Sequence, residues 1–120
     1  MSDVTIYHNP RCSKSRNALT ALNDAHLSPT IIKYLDDTPD KETLRSLIDS
    51  AGISVRDAVR TGEKEYKELE LAEATDEQLL DAMVTHPKLI QRPIIVTPNL
   101  ARIARDEDAV NEVLKDLGVR

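Results

Sequence analysis

The sequence from residue 4 to residue 19 reads Val4-Thr5-Ile6-Tyr7-His8-Asn9-Pro10-Arg11-Cys12-Ser13-Lys14-Ser15-Arg16-Asn17-Ala18-Leu19. This stretch decides the fold, because residues 4–7 are apolar and β-branched and predict a strand, whereas its end opens an amphipathic helix. Ser13 or Ser15 can cap that helix. The only cysteine of the chain, Cys12, is therefore expected at the point where a strand ends and a helix begins.

The position and neighbours of Cys12 predict a reactive thiol. A helix N-terminus presents unpaired backbone N–H groups and the positive end of the helix dipole, and both favour a thiolate. Arg11, Lys14 and Arg16 add positive charge, and a protonated His8 would add more. We therefore expect a lowered pKa for Cys12. The alternative is an inert core cysteine, but such a residue has apolar neighbours, and here they are polar and charged.

The rest of the chain supplies a mixed α/β architecture. Ser28-Pro29 ends the first helix and residues 30–35 predict a second strand, so the chain starts with a β-α-β unit and a parallel strand pair. Residues 94–96 predict a third strand, paired as a hairpin with residues 102–105. A last helix capped by Asp106 follows.

Residues 38–90 predict a helical insertion between the second and third strands. The first helix of this insertion begins at Thr38-Pro39-Asp40, with Pro39 at the first helical position after Thr38, and ends at Gly52. Ser54 caps a short helix on which Arg56 and Arg60, four residues apart, share a face. A further helix begins with the capping box formed by residues 75–78.

Length and composition limit the possible classes of protein. The 120 residues contain no repeat or linker and predict a single domain over residues 1–120. A net charge of -5, three Tyr and no Phe or Trp argue against nucleic acid or an anionic membrane as partner. No leader pattern or long apolar segment is seen, so we expect a cytoplasmic protein. A lone cysteine cannot form an internal disulfide, so a redox cycle needs a second thiol from elsewhere.

Several separated motifs, in order, resemble the glutaredoxin-coupled arsenate reductase (ArsC) family. They cover nearly the whole chain and are residues 8–17, Gly52-Ile53-Ser54-Val55-Arg56, Arg60, His86-Pro87, residues 91–98, Arg102 and Arg105. The loop Ser13-Lys14-Ser15 is closest to a housekeeping branch of the family, since the reductases of arsenic-resistance operons carry Gly-Thr-Ser there. The resemblance implies a thioredoxin-like fold and a role in arsenic detoxification.

The resemblance also implies roles for individual residues. Cys12 would attack arsenate, with His8 favouring the thiolate electrostatically and Ser15 donating a hydrogen bond to it. The guanidinium groups of Arg60, Arg92 and Arg105 would converge to bind the substrate, as suits a tetrahedral oxyanion. Thioredoxin-like proteins place a cis proline before the third strand, and Pro93 occupies that position. A cis Arg92-Pro93 bond would lay Arg92 beside Cys12.

The implied reaction uses glutathione as co-substrate and glutaredoxin as partner, with no bound metal or organic cofactor. Two other functions share the same sequence features. One is an Spx-like regulator that binds the RNA polymerase α-subunit, but many of these use Cys-x-x-Cys and this chain has Ser15 at the second position. The other is a glutathione-dependent thiol oxidoreductase without arsenate activity, in which the three arginines bind glutathione carboxylates.

Overall fold

The protein is represented by a computed structural model that describes residues 4–98, 101–104 and 106–117. Within these residues the helices and strands are, in chain order, β1 (Thr5–His8), α1 (Ser13–Asp24), β2 (Thr30–Lys33), α2 (Lys41–Ala51), α3 (Lys64–Glu68), α4 (Asp76–Thr85), β3 (Ile94–Val96), β4 (Ala101–Ile103) and α5 (Glu107–Asp116). No helix in this part of the chain is long and apolar enough to cross a membrane.

The four strands form one mixed sheet in the order β2-β1-β3-β4. β1 and β2 run parallel, with His8 opposite Lys33, and β1 pairs antiparallel with β3. β3 and β4 form the antiparallel hairpin, with Ile95 opposite Arg102. The predicted α/β class, with its β-α-β start and its hairpin, is thus confirmed. The fourth strand begins one residue earlier than expected, at Ala101.

The sheet carries a hydrophobic core on each face. Alternation along a strand sends successive side chains to opposite faces. Ile6 and Ile95 accordingly pack with the buried residues of α1 and α5, whereas Ile94 packs with those of α2 and α4. The chain therefore forms three layers, and the loop from β1 to α1 lies at one end of the sheet.

The start of α2 differs from the prediction. Asp40 caps the helix by accepting a hydrogen bond from the Thr43 N–H at 2.7 Å. Thr38, the expected cap, instead donates its hydroxyl to the Tyr34 carbonyl at 2.7 Å. The predicted end is correct, because Gly52 takes the left-handed conformation with φ of 70°. A contact with the end of β2 thus moved the helix start by two residues.

The segment after α2 also departs from the expected helix. A 3₁₀ turn covers only Arg56–Ala58, and Val59 is already extended. Arg56 and Arg60 therefore do not share a helix face. The Arg56 guanidinium donates to the Tyr66 hydroxyl at 3.2 Å and to backbone carbonyls, so it has a structural role.

Two predicted capping arrangements are confirmed. Thr75 and Gln78 form the reciprocal capping box at the start of α4. Asp106 caps α5 by accepting from the Ala109 N–H at 2.8 Å. Both caps need only residues within one helical turn, which is why the sequence alone predicts them.

Candidate active site

Cys12 lies in the loop between β1 and α1, at the N-cap of the helix. Its N–H donates to the Asn9 carbonyl at 3.0 Å, and its own carbonyl accepts the first helical bond from Arg16 at 2.9 Å. The thiol is free and partly exposed. The sequence predicted Ser13 or Ser15 as the cap of this helix. That prediction is wrong, because Cys12 itself occupies the cap position.

Arg92 contacts the sulfur directly. Its Nε donates to Cys12 Sγ at 3.2 Å, although the two residues are 80 positions apart in sequence. The Arg92-Pro93 peptide bond is cis, as the family resemblance implied. The contact depends on the sheet, because β3, which follows Pro93, pairs directly with β1, which precedes the cysteine loop.

The pKa of the Cys12 thiol is lowered. Burial alone would raise it, but this is outweighed by the N–H of Ser15, by the hydrogen bond and charge of Arg92, and by the N–H of Lys14. The sulfur makes no capping hydrogen bond of full geometry. The two helix-terminal N–H groups act on it from nearby, which is the effect expected at a helix N-terminus. The predicted direction of the pKa shift is therefore correct.

The causes of that shift differ from the sequence interpretation. Arg11, Lys14 and Arg16 are exposed, and none of their side chains is among the main causes of the lowered pKa of Cys12. The Arg16 guanidinium instead donates to the Pro10 carbonyl at 2.9 Å. Exposed charges are strongly screened by water, so closeness in sequence does not make them effective.

His8 and Ser15 form a buried pair beneath the loop. His8 Nδ1 lies 2.6 Å from Ser15 Oγ, and the Asn9 N–H donates to the same oxygen at 3.0 Å. Ser15 is 0% exposed. Burial, followed by the charges of Lys33 and Arg16, lowers the pKa of His8, so the ring is neutral near pH 7.

This arrangement changes the expected roles of both residues. A neutral His8 does not supply the positive charge that the sequence interpretation gave it. The Ser15 hydroxyl is engaged with His8 and Asn9, and it is the backbone N–H of Ser15 that acts on the sulfur. The pair fixes the loop between β1 and α1, and thereby the position of Cys12.

Of the three arginines expected to converge, Arg60 and Arg92 lie within the described residues. Arg92 contacts the sulfur, whereas the Arg60 guanidinium forms an ion pair with Glu63 at 3.0 Å. The charge of Arg60 acts on the Tyr34 phenol, as do those of Arg92 and Cys12. Arg105 lies outside the described residues. Arg102 donates to Asp116 on α5 at 2.9 Å.

Tyr34 and Asn9 belong to the same site but were missed in the sequence. They follow Lys33 and His8, which are paired in the parallel register of β2 and β1, so they meet at the carboxyl ends of these strands. Ends of parallel strands are a common place for binding sites. The prediction of a parallel strand pair could therefore have identified the residues that directly follow each strand, Asn9 and Tyr34, as site candidates.

An open groove of about 1060 Å³ lies elsewhere, lined by residues of α3 and α4 and the segments near them, such as Tyr66 and His86. None of the residues around Cys12 lines it. This groove is therefore separate from the surface that carries the reactive group.

Comparison with known proteins gives a consistent result. The model of the ArsC family matches residues 7–113. The arsenate reductase of Escherichia coli K12 is 48% identical over 118 residues, which cover 97% of this chain and 84% of that protein. A second relative from the same strain, named uncharacterized protein YfgD, is 45% identical over 114 residues, with 92% and 96% covered.

Solved structures agree with the sequence matches. The arsenate reductase from Vibrio cholerae superposes with a TM-score of 0.89 at 44% identity, covering 94% of this chain and 98% of that one. The thioredoxin-like fold expected from the sequence is therefore confirmed.

Proposed function

The chain belongs to the ArsC family, and from this membership and the geometry at Cys12 we propose that it is an arsenate reductase. The reaction reduces arsenate to arsenite, with the Cys12 thiolate as nucleophile. The observation that carries this proposal is the contact of 3.2 Å between Arg92 Nε and Cys12 Sγ at the N-terminus of α1. It joins a thiol of lowered pKa to a permanently charged donor suited to an oxyanion.

The first step forms a sulfur–arsenic bond. The Cys12 thiolate attacks the arsenic atom, and one arsenate oxygen leaves as water after taking up protons from the medium. The negative substrate and the thiolate repel each other, so cationic and N–H donors are needed to hold both. Arg92 and the first N–H groups of α1 supply such donors next to the sulfur.

The second step transfers two electrons to arsenic. A glutathione thiolate attacks the Cys12 sulfur, a disulfide forms, and the electron pair of the sulfur–arsenic bond remains on arsenic, which leaves as arsenite. Glutaredoxin then attacks the glutathione sulfur and returns Cys12 as a thiolate. A chain with one cysteine needs thiols from other molecules for this cycle. Thiols stay reduced in the cytoplasm, and we propose that the enzyme works there.

Arsenite formation in the presence of glutathione and glutaredoxin tests the proposal. Wild-type protein should turn over arsenate, Cys12→Ser should be inactive, and omission of either thiol component should stop the reaction. A parallel assay with a small glutathione mixed disulfide distinguishes the alternative thiol oxidoreductase. Activity retained by Cys12→Ser would place the nucleophile elsewhere. Wild-type protein that reduces the mixed disulfide but not arsenate would contradict the proposed substrate.

A further inference from the structure

The hydroxyl of Tyr34 is a buried polar group without a hydrogen-bond partner among the described residues. The residue is 1% exposed and its ring packs in the core between the sheet and the helices α2 and α4. Leaving a buried hydroxyl unpaired costs free energy, so a folded protein rarely keeps one without a reason. A phenylalanine would pack equally well here and avoid that cost.

The surroundings of this hydroxyl identify what it can bind. The charges of Arg60, Arg92 and Cys12 all act on the phenol, and the Asn9 amide lies close to its oxygen without a complete hydrogen bond. Tyr34 also follows Lys33, the strand partner of His8, so it lies at the end of β2 beside the start of the cysteine loop. A ligand that binds beside these groups must be compatible with cations and with hydrogen-bond donors, as an oxyanion is.

The protonation state of the phenol suits the same ligand. Burial raises the pKa of Tyr34, although Asn9, Arg60 and Arg92 act to lower it. The group is therefore a neutral hydroxyl at physiological pH, able to donate one hydrogen bond and to accept others. Guanidinium and amide N–H groups can only donate, so a hydroxyl also offers an acceptor to a protonated oxygen of the substrate.

We propose that the Tyr34 hydroxyl contacts the substrate, forming a hydrogen bond to an oxygen of the arsenate held at Cys12. This inference rests on the proposed function and adds a neutral donor to the cationic groups of the site. It explains why a hydroxyl is kept at a core position where no described residue completes a hydrogen bond to it. The hydroxyl gains its partner when arsenate binds.

The test compares Tyr34→Phe with the matched control Tyr66→Phe, each in the full chain. Tyr34→Phe should raise the KM for arsenate about 10- to 100-fold, with kcat little changed, because a hydrogen bond to a charged substrate is lost. Its melting temperature without substrate should be equal to or above that of wild type. Tyr66→Phe should show the opposite pattern, since that hydroxyl accepts from Arg56 at 3.2 Å and Tyr66 lines the separate groove near α3 and α4. Its melting temperature should fall and its KM should stay unchanged.

A binding measurement separates this inference from the proposed function. In a Cys12→Ser background, which cannot react, arsenate should raise the melting temperature, and Tyr34→Phe should reduce that rise. An unchanged KM and an unchanged rise in Tyr34→Phe would overturn the inference, whatever the catalytic result. The opposite result is also informative. If wild-type protein does not reduce arsenate, but Tyr34→Phe still reduces the rise in melting temperature caused by arsenate, the proposed function is overturned and the role of Tyr34 in binding is supported.

Discussion

Replacement of Arg92 by Gln should raise the pKa of Cys12 by about one pH unit and slow alkylation of the thiol at neutral pH. Arg92 Nε donates to Cys12 Sγ at 3.2 Å, and the guanidinium charge adds to this bond. A hydrogen bond to a charged group contributes about 1.5–3 kcal/mol. Cys12 is partly exposed, so solvent screening favours the lower end of that range, and one pKa unit corresponds to about 1.4 kcal/mol.

The rate of alkylation by iodoacetamide as a function of pH measures this change, because only the thiolate reacts. The midpoint of the profile should lie about one pH unit higher in Arg92→Gln than in wild type. Below both midpoints, the rate at a given pH should fall about tenfold. Arg92→Lys should lie between the two, since it keeps the charge but not the Nε donor.

Arg11→Gln is the matched control, because it removes an equal charge from the residue directly before Cys12. Arg11 is exposed and is not among the main causes of the lowered pKa of Cys12, so the midpoint should stay where it is in wild type. Equal midpoints for Arg92→Gln and wild type would refute the assignment of the stabilising charge. A shift of equal size in Arg11→Gln would show that local charge in the sequence matters as much as the contact.

Two further predictions concern stability. Gly52→Ala should lower the free energy of unfolding, measured in urea titrations, by about 1 kcal/mol, because Gly52 has a φ of 70° that alanine adopts only with strain. Gly62→Ala is the control and should not show this cost. Equal effects of the two substitutions would contradict the explanation. The lowered pKa of His8 means that its neutral form is favoured in the fold, so its contribution is complete above the ordinary histidine pKa and is lost as pH falls through the lowered value. His8→Gln should therefore flatten this part of the profile of unfolding free energy against pH, and an unchanged profile would show that His8 does not titrate in the fold.

Local signals predicted the parts of the fold that depend on neighbours along the chain. The capping box at Thr75 and the cap at Asp106 need only residues one turn away, and both are correct. Thr38 and Ser15 fit the same local rule but do not cap their helices. Their hydroxyls are engaged by Tyr34 and His8, and these contacts exist only once β1 and β2 are in place.

The site shows the same limit. The sequence located Cys12 and its helix N-terminus, and the lowered pKa follows from that position. It could not tell which cations act on the sulfur, because that depends on the side chains' exposure. Arg16 is four residues away and faces its own loop, whereas Arg92 is brought to the sulfur by the pairing of β1 with β3. Family resemblance supplied Arg92, and composition or periodicity would not have done so.

The charge distribution indicates how the site selects its substrate. The chain carries a net charge of -5, so its overall field does not attract a negatively charged substrate. Charges farther than about 8 Å are in any case largely screened at physiological ionic strength. Capture of arsenate must then depend on groups in direct contact with it, and among the residues that the structure describes near Cys12 these include Arg92, the first N–H groups of α1 and, as proposed, the Tyr34 hydroxyl. Because each contact is a hydrogen bond of defined direction, the loss of one neutral hydroxyl should weaken substrate binding more than the loss of an exposed charge such as Arg11.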